Sequence, residues 1–206
     1  MNWKYQHPSR NFFSWAVLLF LLGGAVLLLL VSKETLFWKL NQLHSYPADL
    51  ALKYITHVGD GLLMIGVAVV ALGLGYRKLG ILLILTFLLS GLLAQGLKRL
   101  KPEPRPGAYF AQIDAIHKVD GKLLKGKNSF PSGHTTTAFA MFALLAFATR
   151  SLGLQIIYFL AAVAVGYSRI YLGQHFFADV WAGALLGFAS AVVMFWLFRN
   201  KEFDAN

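Results

Sequence analysis

The C-terminal part of the chain contains a histidine and an aspartate whose spacing suits chemistry. Between Ser168 and Asp179, three titratable residues (Arg169, His175 and Asp179) interrupt an otherwise apolar sequence. Charge is costly in such a membrane-like setting and usually has a function. Because His175 and Asp179 are four positions apart, a helix would let the carboxylate hold one imidazole nitrogen and leave the other free. This is the layout of an oriented histidine nucleophile or base.

A second candidate group stands where an apolar helix is predicted to begin, in the sequence Phe130-Pro131-Ser132-Gly133-His134-Thr135. Ser132 can cap the helix, and Gly133 lets a ligand approach the free N–H groups that make a helix N-terminus an anion site. Ser132 alone would indicate only a capped helix. His134 beside it can donate a proton to a leaving oxygen, which favours a functional site.

A third group is the basic stretch from Lys98 to Pro106, which contains three prolines. The prolines prevent a regular helix and hold the segment extended at the membrane edge. Lys98 and Arg105 can then both turn toward one anion. Taken alone, however, a basic stretch beside a span more often anchors lipid headgroups.

Membrane spans must carry these three groups, since 57% of the 206 residues are hydrophobic and only 14% are charged. This composition predicts a single polytopic membrane domain over residues 1–206. The expected fold is all-α, with six transmembrane helices, a short interfacial helix at Glu34–Ser45 and one long polar loop between spans three and four. The predicted spans are approximately Phe12–Val31, Ala51–Gly75, Leu79–Leu97, His134–Thr149, Leu154–Tyr171 and Ala178–Phe198.

Six spans place the 98–130 loop and the 169–179 turn on the same side, so the three groups converge. With the N-terminus in the cytoplasm, 7 of the 19 Lys and Arg residues, Lys4 among them, lie inside and 12 lie outside. The positive-inside rule disfavours that orientation. We give the positive-inside rule less weight here because most of the outer charges lie in one loop, whose basic residues are assigned to binding. Convergence itself depends only on the number of spans.

Two further polar features have competing interpretations. His57 and Asp60 lie in the first turns of predicted span two, where hydrogen bonding to neighbouring helices is favoured over catalysis. The 107–130 loop contains Val119-Asp120-Gly121-Lys122, which signals a tight hairpin turn. That loop could cap the site against lipid headgroups or simply be solvated.

Composition also excludes several kinds of site. The chain has no cysteine, which rules out disulfides, thiolate metal sites and a cysteine nucleophile. Its net charge of +10 comes from residues between apolar spans, which favours anionic lipid or phosphate as the partner. We expect no nucleic-acid partner, because the sequence shows no recognisable nucleic-acid-binding motif.

Together the three groups resemble the signature motifs of the type 2 phosphatidic acid phosphatase (PAP2) superfamily, from about span two to span six. The family pattern of Lys, six residues and Arg-Pro is met by Lys98 and Arg105-Pro106, and Pro-Ser-Gly-His is met by Pro131 to His134. The pattern of Ser-Arg, five residues, His, three residues and Asp is met by Ser168-Arg169, His175 and Asp179. The match is specific for mechanism rather than for substrate.

The resemblance implies that His175 attacks phosphorus to form a phosphohistidine, that Asp179 orients it, and that His134 protonates the leaving oxygen. The residues that would bind the phosphoryl oxygens are Lys98, Arg105, Ser132, Gly133 and Arg169. We expect no cofactor. Three cationic side chains around the pocket would repel a divalent metal and disfavour a His-His-Asp zinc site.

The expected activity is that of a metal-independent lipid phosphate phosphatase in the bacterial inner membrane, with its site facing the periplasm or cell exterior. Its partners would be membrane lipids and a lipid phosphate substrate. Undecaprenyl diphosphate, phosphatidylglycerol phosphate, phosphatidate and lipid A phosphate all stay open as substrates. Two alternatives are a phosphotransferase that passes the phosphoryl group to another acceptor, and a non-catalytic lipid-binding or transport protein. The sequence predicts no oligomeric state.

Overall fold

A computed structural model describes residues 5–121 and 123–201, and those ranges contain helices and connecting segments but no strand. Lys4 and Lys122 lie outside the described residues. The helices are α1 (Phe12–Leu30), α2 (Lys33–Asn41), α3 (Tyr46–Ile55), α4 (Gly61–Gly73), α5 (Arg77–Leu100), α6 (Pro106–Tyr109), α7 (Gly133–Phe147), α8 (Leu152–Tyr171) and α9 (Phe177–Phe198).

Five of these helices begin at a side chain that accepts a hydrogen bond from a backbone N–H group in the first turn. The capping residues, for α1, α2, α3, α7 and α8 in turn, are Asn11, Ser32, Ser45, Ser132 and Ser151. Each such cap stabilises its helix by about 1 kcal/mol, because it satisfies a donor that the helix itself cannot. The caps therefore fix where apolar runs become helices.

The structure changes the prediction for span two. The apolar stretch is not one helix, because α3 and α4 are separated by a short 3₁₀ turn at Thr56–Gly59 and meet at an angle of 59°. Within the described residues, α1, α5, α8 and α9 are long and apolar enough to cross a membrane, and the bent pair gives up to five spans. Helix α7 has only 15 residues, so helix length alone does not establish the expected six spans.

Helix α7 forms the centre of the bundle. It packs against α5, α8 and α9 and also contacts α1 and α4. After its polar first turn the helix is apolar on every face from Ala138 to Phe147, which is the pattern of a helix buried on all sides. Helices α7 and α9 approach so closely that a Cβ on Gly187 would lie 2.2 Å from the Thr136 carbonyl oxygen. The N-terminal ends of the two helices also lie side by side, because the Ser132 N–H donates to the Asp179 carbonyl oxygen at 2.9 Å.

The long polar loop is folded against the helices. The buried Asn41 side chain donates to the carbonyl oxygens of His117, Ile170 and Tyr171 at 2.9–3.1 Å and accepts the His117 N–H at 2.9 Å. Where the sequence predicts a tight hairpin turn, the chain makes a 3₁₀ turn at Val119–Gly121 with φ of 56° at Asp120 and 64° at Gly121, and the residues described on either side form no strand. Asn41 thus fastens the loop to the end of α8.

Candidate active site

His175 lies in the turn between α8 and α9, two residues before α9 begins. It is therefore not on the helix that carries Asp179, as the four-residue spacing had suggested. The pair forms nonetheless, with His175 Nδ1 3.3 Å from Asp179 Oδ2, because the carboxylate turns back over the helix N-terminus. There it also accepts the Phe176 backbone N–H at 2.9 Å. Both side chains are buried, at 2% exposure each.

Gly173 makes this turn possible. Its φ is +67°, a conformation that residues with a Cβ rarely adopt. A Cβ there would also lie within 2.8–2.9 Å of the Ile116 and Leu123 side chains. Glycine is thus required both by the backbone conformation and by the loop packed over the turn.

Ser129 is a site residue that the sequence interpretation missed. Its hydroxyl donates to Asp179 Oδ2 at 2.5 Å and lies 3.4 Å from His175 Nδ1, and the residue is fully buried. Nearby, the Ser132 backbone N–H donates to the Asp179 carbonyl oxygen at 2.9 Å. The segment before α7 is therefore tied to the first turn of α9. Only the adjacency of Ser129 to the Pro-Ser-Gly-His motif could have suggested it.

The second nitrogen of His175 faces a cation. Arg105 Nη1 lies 3.4 Å from His175 Nε2 and donates to the Gln174 carbonyl oxygen at 3.2 Å. Burial, reinforced by Arg105 and Arg169, lowers the pKa of His175 to about 3 against the opposing effect of Asp179. The imidazole is consequently neutral at pH 7 and keeps a lone pair, which is the form that a nucleophile needs.

Asn128, also missed from sequence, connects two of the predicted cations. Its side-chain oxygen accepts the Arg105 Nε–H at 2.9 Å, and its backbone carbonyl accepts from Lys98 Nζ at 2.7 Å. Arg169 lies close enough to interact electrostatically with Lys98 and His175. Arg169 Nη1 donates to Thr56 Oγ1 at 2.6 Å, and its buried Nε has no partner among the described residues. Three cations thus surround one region.

The start of α7 separates the roles of two predicted phosphate-binding residues. The Ser132 hydroxyl is fully buried, and it accepts from Thr135 Oγ1 at 2.9 Å and from the Thr135 N–H at 3.5 Å. In this conformation it serves the helix cap. Gly133 instead borders open space, because a Cβ there would meet nothing within 4 Å. The helix N-terminus is therefore accessible at Gly133.

His134 lies on a cavity of about 380 Å³ whose lining also includes Lys98 and Asp60. Asp60 Oδ1 is 2.7 Å from His134 Nε2, and Asp60 Oδ2 is 2.9 Å from His57 Nδ1. The sequence interpretation favoured hydrogen bonds to neighbouring helices for His57 and Asp60, and the structure places Asp60 against a candidate catalytic histidine. The sequence signal for such a role was Asp60 itself, a charged residue between two glycines inside an apolar run.

Acidic and histidine residues do not gather into a metal site in the part of the chain that the structure describes, where no group of three or more of them could hold a metal ion. The arrangement is instead a neutral, buried imidazole held by a carboxylate, with cations and a helix N-terminus around it. Such a site can bind a phosphoryl group and attack its phosphorus.

Comparison with known proteins finds relatives of this chain. The chain is 33% identical over 129 residues to the bacitracin transport permease protein BcrC of Bacillus licheniformis, covering 62% of this chain and 59% of that protein. It is 31% identical over 166 residues to phosphatidylglycerophosphatase B of Bacillus subtilis, covering 72% of each chain. The match thus spans less than two thirds of the length of the first relative and 72% of the length of the second.

A solved structure is similar over nearly the whole fold. The crystal structure of the first transmembrane PAP2-type phosphatidylglycerolphosphate phosphatase from Bacillus subtilis superposes with a TM-score of 0.68 at 25% identity, covering 92% of this chain and 98% of that one. The family model of the PAP2 superfamily matches residues 79–203, which include all three motifs. This protein is therefore an integral membrane protein that belongs to the PAP2 superfamily.

Proposed function

We propose that the protein is a membrane phosphatase that removes phosphate from a lipid-linked monophosphate or diphosphate through a phosphohistidine intermediate. The observation that carries this proposal is the environment of His175, which is buried and neutral. A carboxylate lies beside its Nδ1 and a guanidinium beside its Nε2. The relatives named as phosphatidylglycerol phosphate phosphatases support the substrate class.

The proposed chemistry has two steps. The lone pair of His175 Nε2 attacks phosphorus while the bond to the lipid oxygen breaks, and His134 gives that oxygen a proton. Asp179 stabilises the positive charge that develops on His175. Water then attacks phosphorus and loses a proton to His134, the P–N bond breaks, and inorganic phosphate leaves. Both histidines return to their starting states.

The phosphoryl oxygens would be held by Lys98, Arg105 and Arg169 together with the Gly133 N–H group. Arg105 is already beside His175 Nε2, so it can bind an oxygen of the phosphorus under attack. Fixed cations of this kind stabilise the charge on the equatorial oxygens, the task that metal ions perform in kinases. Direct binding by the Ser132 hydroxyl stays a prediction, since that hydroxyl caps α7 here.

Two cavities suit the two ends of such a substrate. The cavity at His134 extends along Phe87, Gly91 and Ala94 of α5, which offers the leaving lipid an apolar surface. A second cavity of about 310 Å³ lies on the loop side of Arg169 and is lined by Lys53 and Asp120 among others. The polar and charged side chains among its lining residues, such as His57 and Gln174, suit the remaining headgroup. The lipid would then enter sideways, between helices.

For the topology, we propose that α7 and the bent α3–α4 pair complete six spans. From Ala138 to its end at Phe147, α7 is apolar and packed inside the bundle, so neighbouring helices rather than lipid surround this short helix. Both termini would face the cytoplasm of a bacterium. The site would face the periplasm or the cell exterior.

The test is phosphate release by the purified chain in detergent with EDTA, from a panel of phosphatidylglycerol phosphate, phosphatidate, undecaprenyl diphosphate and lipid A. We expect release from at least one lipid, no release from the His175→Ala variant, and release about 100- to 10,000-fold slower from the His134→Ala variant. His7→Ala, which removes an exposed histidine outside the site, is the matched control and should retain activity. Full activity of His175→Ala would refute the mechanism. When the substrate is labelled in its phosphate group, label found in an acceptor lipid instead of in free phosphate would indicate phosphotransfer.

A further inference from the structure

The break between α3 and α4 is pressed against the start of α7. Gly59, the last residue of the Thr56–Gly59 turn, packs so closely that an added Cβ would lie 2.7 Å from the His134 carbonyl oxygen and 3.0 Å from His134 Cβ. Only glycine allows the two backbones to approach this far. The break thus delivers the next residue, Asp60, directly to the His134 side chain.

The Asp60 carboxylate is directed at histidines rather than at its own helix. Asp60 stands at the N-cap position of α4, where an aspartate ordinarily accepts a backbone N–H, yet its side chain makes no capping bond. Its two oxygens instead lie 2.7 Å from His134 Nε2 and 2.9 Å from His57 Nδ1. The usual structural use of an N-cap aspartate therefore does not account for this orientation.

We propose that Asp60 is the positioning residue of His134, so that the site contains a second histidine–carboxylate pair beside His175–Asp179. This inference rests on the proposed function, in which His134 protonates the leaving lipid oxygen. A carboxylate on Nε2 keeps a proton there and orients the ring, which leaves Nδ1 to carry the proton that is transferred. Asp60 acts through His134 and touches no reacting atom.

The surrounding charges explain why His134 needs such a partner. Arg169 of α8 interacts electrostatically with the imidazole, and so does His57 from the turn. Lys98 of α5 lines the same cavity. Positive charge on Arg169 and Lys98 repels positive charge on His134, and a general acid carries that charge before it donates its proton. The negative charge of Asp60 offsets that repulsion at the nitrogen it contacts.

The decisive experiment is a double-mutant cycle on the full-length chain in detergent, with phosphatidate or the panel lipid that is hydrolysed fastest. A general acid contributes about 100- to 10,000-fold to a rate, so losing its positioning partner should cost about 10- to 100-fold in kcat. We expect this loss in Asp60→Asn with little change in KM. Asp60→Asn added to His134→Ala should cause no further loss, because the partner is already absent.

Two comparisons separate positioning from a general structural effect. Asp60→Asn should slow p-nitrophenyl phosphate hydrolysis much less than lipid hydrolysis, since that leaving group needs no proton. Asp60→Glu, which keeps the carboxylate, should recover part of kcat. Asp114→Asn removes an exposed loop carboxylate and is the control. All variants are compared by gel-filtration elution and thermal unfolding.

The inference is overturned if Asp60→Asn keeps the wild-type kcat, or if it slows the His134→Ala protein by the same factor as the wild type. If Asp60→Asn does not fold, the Asp60→Glu variant is the test. A purely structural role of Asp60 predicts that this variant slows lipid hydrolysis and p-nitrophenyl phosphate hydrolysis equally. Failure of the proposed function is a different result, in which the wild-type protein releases no phosphate or His175→Ala retains full activity.

Discussion

Replacement of Ser129 by alanine tests whether the carboxylate of the nucleophile pair needs its own support. The hydroxyl donates to Asp179 Oδ2 at 2.5 Å in a fully buried position, so no solvent can take its place in the variant. A hydrogen bond to a charged group is worth about 1.5–3 kcal/mol. If that energy is needed to hold Asp179 against His175 in the transition state, kcat/KM should fall about 10- to 150-fold.

The assay is phosphate release under kcat/KM conditions, with thermal unfolding measured on the same samples. The matched control is Ser190→Ala, which removes another buried serine hydroxyl, one that donates to the Leu186 carbonyl oxygen at 2.7 Å within α9. We expect Ser190→Ala to change activity less than threefold (roughly 0.6 kcal/mol). A Ser129→Ala rate within twofold of wild type would refute the argument that this hydroxyl maintains the His175–Asp179 geometry.

Three further predictions concern the same turn. The pKa of His175 is lowered to about 3, so between pH 6.5 and 3 the unfolded chain binds a proton that the folded chain does not. Wild-type stability should therefore fall with decreasing pH in that window more steeply than that of His175→Gln, as measured by thermal unfolding in detergent. Gly173→Ala should lower stability by about 2–4 kcal/mol, from positive φ and from contact with Ile116 and Leu123, and calorimetry checks this. Arg105→Lys should lower kcat/KM about 10- to 100-fold, because an ammonium cannot occupy both guanidinium positions at once; activity near wild type would show that charge alone suffices.

Hydropathy and capping residues predict most of the fold. The bounds expected for spans one, five and six differ from α1, α8 and α9 by at most two residues, since each helix coincides with a long, mainly apolar run of the sequence. The break at Asp60 escaped prediction because hydropathy averages over a window, and one aspartate does not interrupt the apolar stretch from Ala51 to Gly75. A break of this kind depends on packing against α7, a long-range contact for which the local sequence carries no signal.

The candidate site was predictable where side-chain identity at fixed spacing carries the chemistry. His175, Asp179 and Arg105 come together as the motifs suggested. Ser129 and Asn128 were not predictable, because a serine and an asparagine in a polar loop look like ordinary loop residues. Their position depends on how the loop folds over the turn before α9, which is a long-range contact without a local sequence signal.

Different parts of the fold hold the two histidine–carboxylate pairs of the site. The start of α7 and the first turn of α9 are joined by the hydrogen bond from the Ser132 N–H to the Asp179 carbonyl oxygen, so the anion site and the nucleophile pair are directly connected. Asp60 reaches His134 from the separate break between α3 and α4. A lipid that enters beside α5 would pass that break first. The carboxylate beside the acid and the carboxylate beside the nucleophile therefore come from separate elements of the fold, the α3–α4 break and the first turn of α9.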